Sequence, residues 1–214
     1  MVLGMFYIHS SSSVGLDADL GWMAKVVGSV ICTHCRDVKR ESYPQGIDVV
    51  LRDSPRALPF YGVLFRVGLP LYRSTFVQQF PSEFRRFAIG RVLTVDGGVI
   101  SEYVSAYSRT SVLLRGDDRV TTKVCPLCSS VWSDLVMVFP DRPAYLLRHQ
   151  LTNAQLHQGR GSELYITEEL AAQVEWSQFP DVQLLRVDVR NTPLDRKRLP
   201  GDPDWVASGA RDDS

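Results

Sequence analysis

Four cysteines are the residues of this sequence whose type and spacing point most directly to chemistry. They form two Cys-x-x-Cys pairs, Cys32 with Cys35 and Cys125 with Cys128, and the 214-residue chain contains no other cysteine. Two thiolates at this spacing lie on one tight turn and reach a single tetrahedral ion, and two such turns complete a closed site with four sulfur ligands. The spacing therefore predicts one structural Zn²⁺ site shared by both pairs.

Two alternatives to a shared zinc site stay open from the spacing. A rubredoxin-type iron site uses a similar set of four cysteines. Two separate sites would need further ligands from the histidines, and none of these lies at a regular ligand spacing from a cysteine pair: His9, His34, His149 and His157. Closing the long loop between the pairs costs on the order of 4 kcal/mol, whereas structural zinc contributes roughly 10 to 16 kcal/mol, so loop length does not argue against one shared site.

Cysteine pairs also occur in thiol redox enzymes and in zinc ribbons that bind nucleic acid. A redox pair begins a helix whose dipole lowers the pKa of the first thiol, whereas here Arg36 and Ser129 begin polar segments without a clear helical period. Zinc is therefore favoured over redox chemistry. The basic residues Arg36, Lys39 and Arg40 beside the first pair have no counterpart at the second pair, which argues against a nucleic-acid partner. Both interpretations are kept as alternatives.

Composition and the remaining motifs point away from several other classes. Lysine plus arginine and aspartate plus glutamate number 24 each, so no net charge favours nucleic acid or an anionic membrane. No apolar run approaches the roughly 20 residues of a membrane span, and the first residues lack the basic segment of a secretion signal. No HExxH, P-loop or GxGxxG motif is present, and no catalytic residue is predicted. We expect a non-enzymatic cytoplasmic protein with reduced thiols and no membrane partner.

Hydrophobic periodicity predicts a chain of short strands with two helices. The strands expected include 5–9, 22–31, 47–51, 63–67, 69–72, 89–95, 99–107 and 182–189. A turn at Asp96-Gly97-Gly98 is expected to join 89–95 and 99–107 as a hairpin. The first helix is expected after Ser74 as N-cap, shortened by Pro81, and the second after Thr167 as N-cap. Three aromatic residues at helical spacing, Phe76, Phe80 and Phe84, are predicted to belong to the core.

The two cysteine pairs lie in two halves that repeat one order of features at a constant offset. Cys32 maps onto Cys125, Leu71-Tyr72 onto Leu164-Tyr165, and Ser74 onto Thr167. We expect an α+β fold of two related subdomains, residues 1–98 and 99–190, each with antiparallel strands and one helix. A four-cysteine site like that of a zinc ribbon is expected to join them. Residues 191–214, rich in Pro, Gly, Asp and Arg, are expected to form a disordered tail.

The order of these features resembles the double-CXXCG motif proteins, a paralogous family of myxobacteria. Besides the two cysteine pairs, the resemblance rests on Phe6-Tyr7 in a first short strand and on Tyr43-Pro44 followed by Asp48. The closing segment 164–182 is similar to the end of that family and of related polymorphic-toxin immunity proteins. The family's glycine after each pair is replaced here by Arg36 and Ser129. Glycine suits this position because the turn after the second thiolate often has a positive φ.

The resemblance, which spans about residues 5–190, implies a binding function with zinc as a scaffold. Some family members look like immunity proteins, which lie in the cytoplasm and block a toxin delivered by related bacteria. The expected function is therefore that of a zinc-stabilised immunity protein that binds a cognate toxin protein. The alternatives are a zinc-ribbon module that binds nucleic acid or serves transcription, and a Cys-x-x-Cys thiol redox protein.

Overall fold

The structure is a computed structural model and describes residues 4–10, 14–40, 45–53, 61–64, 69–116, 122–133, 144–159, 163–194 and 199. The strands are β1 (Met5–Ser10), β2 (Val14–Leu16), β3 (Val49–Leu51), β4 (Tyr61–Leu64), β5 (Pro70–Arg73), β6 (Phe87–Thr94), β7 (Val99–Ser108), β8 (Thr122–Val124), β9 (Val131–Ser133), β10 (Tyr145–Leu147), β11 (Leu156–Gln158), β12 (Leu164–Thr167) and β13 (Val182–Arg190). The α-helices are α1 (Leu20–Val26), α2 (Ser74–Gln79), α3 (Pro81–Phe84) and α4 (Glu168–Ala171), and two 3-10 turns are Arg148–Gln150 and Trp176–Gln178. The fold is mixed α and β, with few helices and two sheets rich in antiparallel pairs.

The first sheet has the strand order β2-β4-β5-β7-β6-β3 and is antiparallel except at the pairs β2–β4 and β3–β6. The segment after β2 returns to β3 at the opposite edge. There the Asp19 N–H donates to the Val50 carbonyl at 2.9 Å, and the Arg52 N–H donates to the Asp17 carbonyl at 3.0 Å. The sheet therefore curls until both of its edges are paired, which encloses a core of buried apolar side chains.

The second sheet has the order β10-β13-β1-β12-β11, and only its β10–β13 pair is parallel. It curls in the same way, because residues 112–115 contact both of its edges. The Val112 N–H donates to the Gln158 carbonyl at 2.9 Å, and the Arg115 and Tyr145 backbones exchange two hydrogen bonds of 2.9 Å. A small separate ribbon of β8 and β9 completes the described strands.

Five strands of each sheet have the same order and the same relative directions. The match pairs the strand order β4-β5-β7-β6-β3 of the first sheet with the strand order β11-β12-β1-β13-β10 of the second. The central strands are exchanged: β1 precedes the first cysteine pair but lies in the second sheet, and β7 precedes the second pair but lies in the first. The expected division between residues 98 and 99 falls at the start of β7, and the division of the chain into two subdomains there stays a prediction.

An aromatic cluster between the sheets confirms the expected role of the three spaced phenylalanines. Phe76, Phe80 and Phe84 are buried together with Phe179 of the second half, and the Phe76 and Phe179 rings meet edge to face at 5.7 Å between centroids. Side chains of both sheets, including Ile8 and Ala106, belong to the same cluster. Edge-to-face packing of this kind is favourable beyond the burial of area.

Two local predictions are wrong. Residues 22–31 do not form a strand, since helix α1 begins after Asp19, whose carboxylate accepts the Trp22 N–H at 2.8 Å. Trp22 and Val26, one turn apart, face the core of the first sheet. Ser74 is not an N-cap but the first residue of α2, and its hydroxyl donates to the Ser101 carbonyl at 2.6 Å.

Other helix predictions are confirmed. Pro81 ends one helix and begins another, because α2 stops at Gln79 and α3 has proline in its first turn. The Thr167 hydroxyl caps α4 by accepting the Leu170 N–H at 3.2 Å. The expectation of one helix per half differs from the described first half, which contains α1, α2 and α3.

Much of the predicted tail, including residues 195–198 and 200–214, lies outside the described residues, as does Tyr43-Pro44. Within the segment from 191 onwards, the Leu194 N–H donates to the Tyr145 hydroxyl at 2.8 Å, and Leu199 is buried. None of the helices in the described part of the chain has the length and apolar character needed to cross a membrane.

The close crossing of residues 46–47 over β6 predicts an intolerance of any side chain at Gly90. A Cβ there would lie 2.0 Å from the Ile47 carbonyl oxygen, so Gly90→Ala is expected to lower the free energy of unfolding by about 3 kcal/mol. Gly97 lies in open space with φ +88°, and Gly97→Ala is the control, with an expected loss of about 1 kcal/mol. If urea-induced unfolding showed equal losses of stability for the two variants, the close contact of residues 46–47 with β6 would be contradicted.

Candidate metal centre

The four thiols converge at one point in the structure. Their sulfur atoms all lie within 4.8 Å of one another, and within the described residues the group contains neither histidine nor carboxylate side chains. The Sγ atoms of Cys32 and Cys125 are 3.7 Å apart, and those of Cys35 and Cys128 are 3.5 Å apart. None of these four cysteines forms a disulfide in the described part of the chain. The two pairs therefore form one cluster, to which the described histidines contribute no ligand.

Two turns of the same design present these thiols. In the first knuckle, residues 31–38, the Cys32 N–H donates to the Asp37 carbonyl at 2.9 Å and the Arg36 N–H donates to the Cys32 carbonyl at 3.0 Å. In the second knuckle, residues 124–131, the equivalent bonds are Cys125 N–H to Ser130 at 2.8 Å and Ser129 N–H to Cys125 at 3.0 Å. The flanking pairs Ile31–Val38 and Val124–Val131 are antiparallel in both.

The residue after each pair has a positive φ, as the sequence predicted for this turn. Arg36 has φ 62° and Ser129 has φ 57°, and no other non-glycine residue in the described part of the chain has a positive φ. A residue with a Cβ is disfavoured in this region by about 1 to 2 kcal/mol. Both knuckles therefore hold a strained residue at the same position.

The sulfur distances fit a tetrahedral ion. A zinc–sulfur bond of about 2.3 Å places tetrahedral sulfur ligands about 3.8 Å apart, close to the separations found here. Four thiolates also complete the coordination, whereas catalytic zinc keeps a position for water or substrate. The donor set thus suits a closed structural site for zinc or another thiophilic ion such as iron.

The surroundings shift the pKa values of the four thiols in different directions, and ionisation of one thiol affects the others because the sulfurs lie within 4.8 Å of one another. Burial opposes ionisation of Cys32, but N–H groups of its own turn and the neighbouring thiols lower its pKa from 9.0 to about 6. The same balance of burial against N–H groups lowers the pKa of Cys125. Burial raises the pKa of Cys35 and of Cys128. Binding of a metal by all four sulfurs therefore requires the release of protons.

A buried carboxylate links the two knuckles beside the thiols. Asp37, 3% exposed, accepts the Ser130 hydroxyl at 2.7 Å through Oδ2 and the Val38 N–H at 2.9 Å through Oδ1. Asp37 and Ser130 are 93 residues apart, the same separation as Cys32 and Cys125. The two knuckles are therefore joined by a hydrogen bond between equivalent positions.

Arg40 extends this contact to both sheets. Its guanidinium, 4.0 Å from Asp37, donates to the Ser108 carbonyl and the Gln158 side-chain oxygen at 3.0 Å and to the Gly159 carbonyl at 3.1 Å. Ser108 ends β7 of the first sheet, and Gln158 ends β11 of the second. Burial lowers the pKa of Arg40, against the opposing effect of the Asp37 carboxylate.

Sequence reasoning did not identify Asp37, Ser130 or Arg40 as part of this centre. The repeat offset that aligned the cysteines also aligns Asp37 with Ser130, and this was the available signal. No comparable signal separates Arg40 from the charged residues around it, because the groups to which it donates hydrogen bonds, on Ser108, Gln158 and Gly159, are distant in the chain.

Comparison with models of known protein families yields no matching family, and comparison with curated proteins yields no matching relative.

Glycine is expected to stabilise both knuckles at their strained positions. Arg36→Gly and Ser129→Gly should each raise the free energy of unfolding by about 1 kcal/mol, because glycine adopts a positive φ without a steric cost. Thr33→Gly, on the same exposed turn but without a positive φ, is the control and should be destabilising. Urea-induced unfolding of the metal-loaded protein measures all three, and a loss of stability at Arg36 would contradict the assigned turn.

The contacts of Asp37 with Ser130 and Arg40 are expected to contribute more to the free energy of unfolding than an exposed ion pair does. Ser130→Ala should cost about 1 kcal/mol for one hydrogen bond, and Asp37→Ala about 3 kcal/mol, because Arg40 then keeps a buried charge without its carboxylate. Asp188→Ala removes the partner of Arg190 in an exposed pair and should cost less than about 0.5 kcal/mol. A double mutant of Asp37 and Ser130 with fully additive effects would contradict their coupling.

Proposed function

We propose that the four cysteines hold one structural Zn²⁺ and that this ion fastens the two halves of the chain together. The observation that carries the proposal is the convergence of two equivalent knuckles, whose sulfur separations of 3.5 and 3.7 Å fit one tetrahedral ion. Each knuckle supplies two ligands, and the knuckles belong to different halves. The ion thus acts as a cross-link between residues that are far apart in sequence.

The two halves are two related subdomains, and their knuckles are of the zinc-ribbon type. Support comes from the identical order and direction of five strands in each sheet and from the matching backbone hydrogen bonds of the knuckles. Equivalent residues across the centre share one offset of 93 positions. A duplication of one ancestral unit accounts for all three correspondences.

Because the proposed metal centre is closed, the protein's function is carried out by its surface. We assign it as a cytoplasmic immunity protein that binds a cognate bacterial toxin, and this assignment rests on the resemblance of its motifs to the double-CXXCG proteins. A scaffolding ion supports a non-enzymatic role, because four protein thiolates leave no coordination position for a substrate.

The contacts of the basic residues favour this assignment over a nucleic-acid partner. Of the three basic residues beside the first pair, Arg40 donates to groups of both sheets, and the Lys39 ammonium donates to the Gly28 carbonyl. These two cations are therefore engaged within the protein. A thiol redox role is disfavoured because neither cysteine pair begins a helix in the described structure.

Metal analysis together with thiol titration tests the proposed zinc. Protein purified without added metal is expected to contain one zinc per chain, with thiols that react only after a chelator or denaturant is added. Iron in place of zinc would identify the rubredoxin-type alternative. Metal-free protein with a reversible disulfide within one Cys-x-x-Cys pair would overturn the proposal in favour of thiol redox chemistry.

Removal of one ligand from either half is expected to have the same effect. Cys32→Ser and Cys125→Ser should each lose the metal and the stability that it provides, because a single site takes ligands from both knuckles. Thr33→Ser, between the ligands of the first knuckle, is the matched control and should keep both. A stable Cys125→Ser protein that still carries one zinc would exclude the shared site.

The immunity assignment predicts protection of bacteria from a toxin encoded beside this gene. Co-expression of the wild-type protein should restore growth, and purified protein should form a complex with that toxin. Cys125→Ser should lose protection along with its metal, whereas Thr33→Ser should retain it. Toxicity that is unchanged by the wild-type protein, although zinc is bound, would refute the immunity role and leave the structural site intact.

A further inference from the structure

The four thiols are not equally accessible, and their accessibility divides them across the knuckles. Cys32 is 0% exposed and Cys125 is 1% exposed, whereas Cys35 and Cys128 are partly exposed. The sulfurs of the two partly exposed cysteines lie 3.5 Å apart and belong to different halves of the chain. Each Cys-x-x-Cys pair instead combines one partly exposed cysteine with one buried cysteine.

We propose that Cys35 and Cys128 form a modification site for a hydroperoxide oxidant such as hydrogen peroxide, which converts them into a disulfide between the two halves. A reagent from solvent reaches these two sulfurs before the buried pair. Once one of them is oxidised, the thiolate of the other knuckle lies close enough to react with it.

The chemistry requires one peroxide and no other reactant. The sulfur of Cys35 or Cys128 gives up its thiol proton and forms a bond to one peroxide oxygen, the O–O bond breaks, and the hydroxide that leaves takes up a proton to become water. The second sulfur then gives up its proton, forms the S–S bond and displaces the hydroxyl of the sulfenic acid, which takes up a proton and leaves as a second water. The two sulfurs lose two electrons in total, and one peroxide becomes two waters.

The disulfide would keep the halves joined after the metal is lost. Cys32 and Cys125 then remain as two thiolates, too few for a closed zinc site, so bound zinc is released. Disulfides within the Cys-x-x-Cys pairs would also release zinc but would leave the knuckles without a covalent connection. Oxidation at the proposed site therefore replaces the metal cross-link between the halves with a covalent disulfide.

Mass spectrometry of tryptic peptides distinguishes a disulfide between the two knuckles from disulfides within them. Trypsin cleaves after Lys25 and Arg36 and after Lys123 and Arg148, while Arg142 precedes proline and resists cleavage. Residues 26–36 therefore carry both cysteines of the first knuckle, and residues 124–148 carry both of the second. A disulfide across the knuckles joins the two peptides, whereas a disulfide within a knuckle leaves them separate.

The experiment treats the native full-length protein with one equivalent of hydrogen peroxide and then labels the remaining thiols with N-ethylmaleimide under denaturing conditions. The expected first product is the linked peptide pair, in more than tenfold excess over disulfides within a pair, with the labels on Cys32 and Cys125. Protein unfolded in urea before oxidation is the control. There the short loops favour disulfides within each pair.

Separate peptides that each contain a disulfide, a link between Cys32 and Cys125, or sulfinic and sulfonic acids without a link would each overturn the proposal. The same oxidation is repeated on protein from which a chelator has removed any metal. Because the measured product is a disulfide between peptides, this test does not depend on whether zinc was bound. Zinc content measured before oxidation decides the proposed function separately. A protein without zinc that still forms the Cys35–Cys128 link would refute the zinc centre and support the modification site.

Discussion

Each sheet has at its centre a strand from the other half of the chain. β1 lies between β12 and β13, and β7 lies between β5 and β6, so neither sheet can pair fully within its own half. The segments that follow these strands then close the edges of the sheets of their own halves. The chain therefore passes twice from one sheet to the other, and these crossings hold the two halves in the orientation that brings the knuckles together.

The cysteine cluster depends on this arrangement, and a polar network supports it from within the protein. Asp37 joins the knuckles directly, and Arg40 connects the same carboxylate to the ends of β7 and β11. A buried cation and a buried anion are costly unless paired and hydrogen-bonded, so this network fixes the relative placement of the halves more than it adds stability. The four cysteines that could hold a metal ion are thereby positioned next to one another by the protein itself.

The charges of Asp37 and Arg40 beside the cysteine cluster serve contacts inside the protein. The cluster itself is not shielded from solvent on all sides, because Cys35 and Cys128 are partly exposed and Leu127 at the tip of the second knuckle is 67% exposed. It thus combines two buried cysteines with two that contact solvent.

Local sequence patterns were sufficient to predict five features: the two cysteine turns, the Thr167 cap, the helix break at Pro81, the β6–β7 hairpin and the aromatic core residues. Each of these depends on neighbours within a few positions. The positive φ after each pair was also predictable, since it follows from the geometry of one turn. Helix α1 was missed because a short run of apolar residues suits a strand as well as a helix, and the Asp19 cap was not recognised. Exchange of β1 and β7, burial of Arg40 and the contact between Asp37 and Ser130 were decided only by the tertiary structure. The Asp37–Ser130 and Arg40–Gln158 hydrogen bonds join residues 93 and 118 positions apart, and no local periodicity records which distant groups will meet.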